Sequence, residues 1–449
     1  MSTLDALLPA YLSDLLGDAE IAAEIDGLAQ LAAMLRVEAA LAAAQAEVGA
    51  LPAQAARAIE AAAARLAARI DPADLAEATA RDGVPVPALV ALLREEAGAA
   101  APAVHSGATS QDVVDTAWAL CLKPALAILD GRLLRIGDAL AALAAAHKAT
   151  PMAARTRTQQ AVPTRFGLAA AQWFAPFAAH RAALRDAGAR ACILSLGGAA
   201  GTQAAFGPTA RAVEEAMARR LDLGVAELPW HSRREGGLAL GAALAGAAAS
   251  CGKIAQDLLL LARTEVGEVG FTDAGGSSAM PHKANPVAAE AALALARHAG
   301  ALQAALHQAA MPADARDGAA WAQEWLAFAP LLLAVGACLA RTERMLETLE
   351  VRPARMRANL VAFGSPTLAE AAGRALAATM APDSADALLR RALAEAAASG
   401  DALSVVLKRL APEAAAAAVD WAALDDPVGQ AGEADAMIAR ALAAWAASR

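Results

Sequence analysis

Aromatic side chains are scarce in this chain. Phe, Trp and Tyr together make up 3% of the 449 residues, and there is a single tyrosine. The strands of an all-β protein draw on aromatic and β-branched residues, so this shortage argues against that class. The chain is nevertheless 58% hydrophobic and 19% charged, a composition that excludes an intrinsically disordered protein.

Cysteine is also scarce, and it follows no metal-binding pattern. The four cysteines lie far apart in the sequence, at Cys121, Cys192, Cys251 and Cys338. They form no CxxC pair, and the seven histidines form no HExxH motif. We therefore expect no metal site, and the buried, reduced thiols of a cytoplasmic protein. The N-terminal segment has no basic region of a signal peptide, which favours the same compartment.

Clustered positive charge and long apolar runs are lacking too. The net charge is −9 and no patch is rich in Lys and Arg, so binding to nucleic acid is disfavoured. The mean hydropathy of +0.39 suggests a membrane protein. However, the uncharged run 191–210 has the glycines and proline of a loop, and the runs 236–252 and 325–340 are shorter than the ~20 residues of a span. We expect no membrane contact.

Alanine and leucine are what the chain has in abundance, and both are strong helix formers. The sequence therefore predicts an all-α protein whose helices pack closely. We expect three helical domains, an N-terminal one over 1–104, a central long-helix bundle over 105–345 and a C-terminal one over 346–449.

The helical patterns differ in length along the chain. Residues 1–100 predict short helices, whereas 112–149 predicts one very long helix broken only at Pro124. The stretch 253–269 also has a helical pattern, with apolar residues on one face. Breaks in the C-terminal domain are expected at Pro353, Gly364 to Pro366, Pro382, Pro412 and Pro427.

Three polar segments rich in Gly, Ser and Thr interrupt the central helices, at 105–111, 154–164 and 271–286. Loops held by a rigid scaffold commonly carry binding and catalysis, so we expect the functional residues there. The segment 275–286 is the most informative. Its glycines let backbone N–H groups approach an anion, and Lys283 and Asn285 add a charge and a donor. Such a loop suits a carboxylate that gains a second negative charge when its α-carbon loses a proton.

The segment 275–286 reads GGSSAMPHKANP, and it resembles the signature of the fumarase/aspartase superfamily. Residues 105–112 (HSGATSQD) and 156–163 (TRTQQAVP) resemble the first and second conserved regions of the same family. The resemblance covers nearly the whole chain. It implies a helical fold, a homotetramer, and active sites that each combine the three regions from different subunits.

The resemblance also implies roles for single residues. Ser277, six residues before Lys283, matches the catalytic serine, and Lys283 and Asn285 would stabilise the doubly charged carboxylate. Thr109 and Ser110 would bind a substrate carboxylate. The remaining residues that the resemblance places near a small polycarboxylate substrate are Gln159, Ser278 and Met280.

Three further residues have two readings. His105 either binds substrate or caps its loop. His231 and Arg234 lie in a segment similar to one near the family's substrate, although Glu235 replaces the usual Asp there. For these two residues a structural role is an equal alternative.

One departure from the family is informative. Lyases that expel an amine or water have a histidine for proton transfer where this chain has Arg157. Arginine stays protonated far above neutral pH, so it is a poor general acid. The muconate cycloisomerase branch of the family also lacks this histidine, and it is similar to this chain at 34–45, 83–93, 196–202, 228–235 and 426–438. Its leaving group is a carboxylate, which needs no proton from an acid and which a fixed positive charge would hold.

The resemblance to this branch implies the lactonisation of 3-carboxy-cis,cis-muconate to 4-carboxymuconolactone, a reaction for which we expect no cofactor, since it needs no metal, nucleotide or flavin. Two other enzyme activities stay open, a 3-sulfomuconate cycloisomerase and an adenylosuccinate-type lyase. The alternative outside enzymology is a catalytically silent helical scaffold, against which the intact Ser277, Lys283 and Asn285 argue.

Overall fold

The computed structural model describes residues 9–426 and 429–449. Twenty α-helices and four short strands are found in these ranges. The helices before residue 100 are α1 (Ser13–Leu16), α2 (Ala19–Ile25), α3 (Gly27–Glu47), α4 (Ala53–Ala67), α5 (Ala76–Asp82) and α6 (Val86–Ala97). The expectation of short helices in this part is wrong for α3, which has 21 residues.

The central part of the sequence forms the longest helices. These are α7 (Ser110–Ala146), α8 (Phe166–Phe174), α9 (Phe177–Ala191), α10 (Ala210–Leu221), α11 (Glu235–Leu261), α12 (Val287–Ala309) and α13 (Gly318–Glu347). The four strands are β1 (Pro151–Thr156), β2 (Gln159–Arg165), β3 (Val269–Phe271) and β4 (Leu349–Val351). They pair as two antiparallel two-stranded sheets, β1 with β2 and β3 with β4. The predicted helical class is confirmed.

The C-terminal part consists of shorter helices, as predicted. They are α14 (Pro353–Phe363), α15 (Ala369–Ala377), α16 (Pro382–Ser399), α17 (Leu403–Leu410), α18 (Glu413–Ala418), α19 (Trp421–Asp425) and α20 (Ala434–Ala447). Proline is the first residue of α14 and α16 and precedes α18, because its fixed φ suits a helix start and its missing N–H is not needed there. The predicted break at Pro427 lies outside the described residues.

Two predictions about the long helices are wrong. Helix α7 runs without a break through Pro124 for 37 residues. A proline removes one backbone hydrogen bond, but the fully buried Ala125 and Leu129 just beyond it keep the helix packed. The helix predicted over 253–269 ends at Leu261, and Gly267 then adopts a φ of 63° in the turn that leads to β3.

The chain divides into two compact units by its contacts. The first unit comprises residues up to Leu133, 179–252 and 291–342, and the second comprises 134–178, 253–290 and 343–449. The predicted domain boundaries at residues 104 and 345 stay a prediction.

The first unit is packed through small side chains and leucines. Helix α3 packs on α4 and on α10, and α4 packs on α6. A Cβ atom at Gly252 of α11 would lie 2.8 Å from Ala296 Cβ of α12, so a glycine is required at this crossing. Cys338 of α13 is fully buried, and its Sγ lies 3.4 Å from Ala292 O of α12. The alanine-rich sequence thus produces the close helix packing that it predicts.

The second unit has its own core. Helices α15, α16, α17 and α19 enclose a cluster that includes Leu376, Leu403, Val406, Leu407 and Leu424, all less than 5% exposed. Helix α14 packs on β1, and α20 packs on α8.

By length and composition alone, three stretches of helix among the described residues could span a membrane. They are 19–47, Glu235–Leu261 and Gly318–Glu347, and 50–61% of the most apolar window of each is buried inside the protein. The uncharged runs 236–252 and 325–340 are shorter than the helices that contain them, α11 and α13, because these helices continue past charged residues. The absence of membrane contact stays a prediction.

Candidate active site

The first conserved region begins α7, in the first unit. Thr109 takes the N-cap position, and the carboxylate of Asp112, three residues later, accepts the Thr109 N–H at 2.9 Å. The hydroxyls of Thr109 and Ser110 are half-buried and make no hydrogen bond within the described ranges. Two free hydroxyls at the N-terminus of a 37-residue helix suit an anion, because the first N–H groups and the helix dipole favour negative charge.

Asp112 organises this region, although the sequence alone assigned it no role within the string 105–112. It is 1% exposed. Its two oxygens accept the N–H of Gly197 at 2.6 Å and of Gly198 at 3.0 Å, and Oδ1 also lies 2.7 Å from His231 Nε2. Asp112 therefore connects the start of α7 to the loop 196–203 and to His231.

Glycines allow the two loops to meet. Gly107 has a φ of 82°, and a Cβ atom there would lie 2.9 Å from the Phe206 ring. Gly198 has a φ of 68°, and its Cβ would lie 3.1 Å from Gly107 O. A side chain at either position would separate the loops or strain the backbone.

Arg234 lies in a buried ion-pair cluster at the start of α11. Its guanidinium donates to Asp115 of α7 at 2.7 Å and to Glu324 of α13 at 2.7 Å, and it lies 4.8 Å above the Trp230 ring. Burial acts to lower the pKa of Arg234, but the two carboxylates raise it above its ordinary value. These contacts support the structural reading of Arg234, and its role in substrate binding stays a prediction.

Arg316, just before α13, is a second residue that sequence reasoning missed. Its Nε donates to Gln111 Oε1 at 3.0 Å, and its Nη2 donates to the carbonyls of Gly198 at 3.3 Å and Ala199 at 3.2 Å. Gln111 in turn donates to the His231 carbonyl at 3.0 Å. These bonds add to those of Asp112 in holding the loop 196–203 on α7.

The second conserved region forms a β-hairpin in the second unit, where the sequence predicted only a loop. Arg157 and Thr158 join β1 to β2 with φ values of 50° and 69°. Two successive positive φ values are typical of tight hairpin turns, which match the twist of the strands. Arg157 and Gln159 are exposed, and the Arg157 guanidinium has no partner in the described part of the chain.

A buried ion pair anchors this hairpin. Arg155 of β1 donates two hydrogen bonds to Glu268, at 2.6 and 2.8 Å, and Glu268 is fully buried. Asn359 of α14 donates to the same carboxylate at 2.8 Å. A bidentate pair fixes direction as well as distance, so it orients the strand that leads to Arg157.

The segment 275–286, which resembles the family signature, is an exposed loop after β3, also in the second unit. Its ends are joined because Gly275 and Asn285 exchange two backbone hydrogen bonds of 2.8 Å. The Asn285 side chain donates to Gly276 O at 2.9 Å, and Ser277 Oγ accepts the Met280 N–H at 3.1 Å. These hydrogen bonds hold the two ends of the loop together.

The structure thus brings the predicted residues together in two groups. The first unit holds His105, Thr109, Ser110, His231 and Arg234. The second unit holds Arg157, Gln159, Ser277, Ser278, Met280, Lys283 and Asn285. Of the second group, Ser278, Met280 and Lys283 are exposed on the loop, where a ligand can reach them. Among the described residues no three His, Cys, Asp or Glu side chains are placed to hold a metal ion.

Comparison with known proteins agrees with these motifs. A family model described as lyase matches residues 11–299. The chain is 41% identical to a 3-carboxy-cis,cis-muconate cycloisomerase of Bradyrhizobium diazoefficiens, over 98% of this chain and 99% of that protein. It is 40% identical to a nitrosuccinate lyase of Streptomyces davaonensis, over 94% and 92%.

A solved structure shares the fold. The 3-carboxy-cis,cis-muconate lactonizing enzyme from Pseudomonas putida superposes with a TM-score of 0.90 at 33% sequence identity, covering 97% of this chain and 99% of that one. The family match, the identity over nearly the full length and the shared fold together confirm the resemblance seen in the motifs. The chain belongs to this lyase family, within the fumarase/aspartase superfamily.

Proposed function

We propose that this protein is a cycloisomerase that converts 3-carboxy-cis,cis-muconate to 4-carboxymuconolactone. The observation that carries the proposal is the 41% identity, over nearly the full length, to an enzyme of that name. The intact loop 275–286, with Ser277 and Lys283 between its joined ends and Asn285 at one of those ends, argues that the chain is active rather than a silent scaffold.

The proposed reaction adds a carboxylate across a carbon–carbon double bond of the same molecule. One carboxylate oxygen forms a C–O bond to the alkene carbon, and the electron pair of the double bond moves toward the carboxylate at its far end. Lys283, Asn285 and loop N–H groups stabilise the two negative charges that this carboxylate then bears. Ser277 donates a proton to the α-carbon, and it takes the proton back in the reverse direction. The neutral acids are isomers, but the ionised product carries one proton more than the ionised substrate, and Ser277 recovers this proton from solvent.

Arg157 suits this reaction better than a histidine would. A carboxylate is already a weak base, so ring opening needs no acid to protonate it. The guanidinium of Arg157 is exposed and pairs with none of the residues that the structure describes, so it would hold that carboxylate by paired hydrogen bonds.

The quaternary structure and compartment belong to the same proposal. We propose a cytoplasmic homotetramer in which the conserved regions of different subunits form each site, as the family resemblance implies. The partly exposed apolar stretches of α11 and α13 support this, because a subunit interface would cover them.

The decisive test is an absorbance assay. Purified protein is incubated with 3-carboxy-cis,cis-muconate, and we expect the ultraviolet absorption of the conjugated diene to fall as the lactone forms. Parallel incubations contain 3-sulfomuconate and adenylosuccinate, the substrates of the two alternatives within the family. Turnover of either one with no loss of the carboxymuconate diene would contradict the proposal.

Elimination of nitrite from nitrosuccinate is a second candidate. It is favoured by the 40% identity to the nitrosuccinate lyase. Nitrite is also a weakly basic leaving group, so the reaction is equally compatible with Arg157. A colorimetric nitrite assay with nitrosuccinate separates the two activities, and the larger kcat/KM assigns the function.

A further inference from the structure

Glu38 is the most unusual buried charge in the first unit. It lies in α3 between Leu35 and Leu41, which are 1% exposed, and its own side chain is fully buried. Its Oε1 lies 2.6 Å from His105 Nδ1, whereas its Oε2 has no hydrogen-bond partner in the described part of the chain. A buried carboxylate is costly unless it is paired, so a position that only filled the core would hold an apolar residue.

His105 is held in an uncommon conformation. Its φ is 62°, a left-handed value that is costly for a residue other than glycine. Helix α3 holds the turn at two points, because Gln45, two turns after Glu38, donates to Ser106 O at 2.9 Å. The turn leads directly to Thr109, so the strain is located beside the proposed carboxylate-binding hydroxyls.

The contact with Glu38 decides which nitrogen of His105 faces away from the core. A carboxylate can only accept a hydrogen bond, so the Nδ1 atom of His105 carries a proton whether the ring is neutral or an imidazolium. The Nε2 atom makes no hydrogen bond to any described residue. It is therefore the ring atom left for a ligand.

We propose that Glu38 is a positioning residue that fixes the His105 ring and, in the substrate complex, holds it as an imidazolium, so that Nε2 also carries a proton and donates a hydrogen bond to a carboxylate of the substrate. Bound in this way, the ring donates to two carboxylates, one from the protein and one from the substrate. This inference rests on the proposed function, because it takes a polycarboxylate to be the substrate. It assigns Glu38 no contact with the reacting atoms.

The test combines kinetics with a double-mutant cycle in the full-length enzyme. The Glu38→Gln side chain keeps the shape of glutamate. Its amide oxygen accepts a hydrogen bond from Nδ1 more weakly than a carboxylate does, and its NH₂ group can instead donate to an unprotonated Nδ1. We expect KM for 3-carboxymuconate to rise about tenfold with kcat nearly unchanged, the size expected for one charge-assisted hydrogen bond. In a His105→Asn background the same change should add nothing, because the ring it positions is gone.

Glu47→Gln is the matched control. It removes the same charge from the same helix at an exposed residue paired with Arg219 and Arg220, and it should leave both constants unchanged. An unchanged KM in Glu38→Gln, a fall in kcat alone, or additive effects in the double variant would each overturn the proposal.

Nitrogen-15 NMR of the histidine rings supplies a readout without substrate. The His105 signal, identified by its loss in His105→Asn, should show a protonated Nδ1 in the wild-type protein and lose this preference in Glu38→Gln. A wild-type ring protonated only on Nε2 refutes the proposal even if Glu38→Gln fails to fold. If the wild-type protein does not turn over carboxymuconate, the proposed function fails, while the NMR result still decides whether Glu38 fixes the ring.

Discussion

At the scale of the residue, Ser277 carries the proposed proton transfer, and its hydroxyl can be removed with little effect on the loop. It accepts a single backbone hydrogen bond, from Met280 at 3.1 Å, on an exposed segment. We expect Ser277→Ala to lower kcat by about 10²- to 10⁴-fold, the usual contribution of general acid–base catalysis, with a small change in KM. Steady-state kinetics measures both constants. Ser384→Ala, at an exposed serine of α16, is the control, and equal activity of the two variants would remove Ser277 from the mechanism.

The residues that hold the site in place differ in their sequence signal from the residues to which the motifs assign a role. Ser277 and Thr109 are recognisable because they stand in polar segments with a family pattern. Asp112 ends the family string 105–112 and Glu38 lies in an apolar helical stretch, but neither pattern reveals their partners, which lie 67 to 119 positions away in the chain. For Glu38 the signal in the sequence is a charged residue inside an apolar helical stretch, which indicates burial but not the partner.

At the scale of the element, Arg234 holds the start of α11 to α7 and α13. Replacing it with methionine would leave the carboxylates of Asp115 and Glu324 buried without their cation. We expect Arg234→Met to lower the free energy of unfolding by about 3–5 kcal/mol, the cost of breaking a buried ion pair. Arg233→Met removes an exposed charge next to it and should cost less than about 0.5 kcal/mol. Urea unfolding of both variants gives the comparison, and similar midpoints would contradict a stabilising role.

Element boundaries follow local signals except where packing outweighs them. The prolines at 353 and 382 begin helices as predicted, yet Pro124 lies inside α7, where burial of its neighbours offsets one lost hydrogen bond. The hairpin at 151–165 was not predicted, because its two strands are short and its turn residues, Arg157 and Thr158, are poor at positive φ. The ion pair of Arg155 with the distant Glu268 accompanies this hairpin, and no local pattern reveals it.

At the scale of the whole molecule, two half-buried histidines should make stability depend on pH. Burial lowers the pKa of His180 and of His147 below the ordinary value of 6.5. Below pH 6.5 the unfolded chain therefore binds protons that the folded chain does not, so stability is complete above that pH and falls as the pH decreases. Melting temperatures between pH 7.5 and 5 should decrease, and the decrease should be smaller in His180→Gln. A slope unchanged in this variant would exclude His180 as a cause.

The proposed tetramer is the second prediction at this scale. Multi-angle light scattering should give a mass of four times the 45.2 kDa of one chain. If sites combine residues of different subunits, mixing inactive Ser277→Ala and Thr109→Val chains through mild denaturation should restore part of the activity, because some sites regain both residues. A monomeric mass, or no recovery in the mixture, would contradict the shared site.

The sequence by itself determined the helical class, the family and the reactive loop. These depend on alanine content, on short-range periodicity and on strings such as residues 275–286, all of which are local. Only the tertiary structure decided how the site is held, through Asp112 between two loops, Glu38 behind His105, and the close contact of Gly107 with Phe206. The physical reason is that a buried polar group is stable only when its partners surround it, and packing brings those partners from distant parts of the chain.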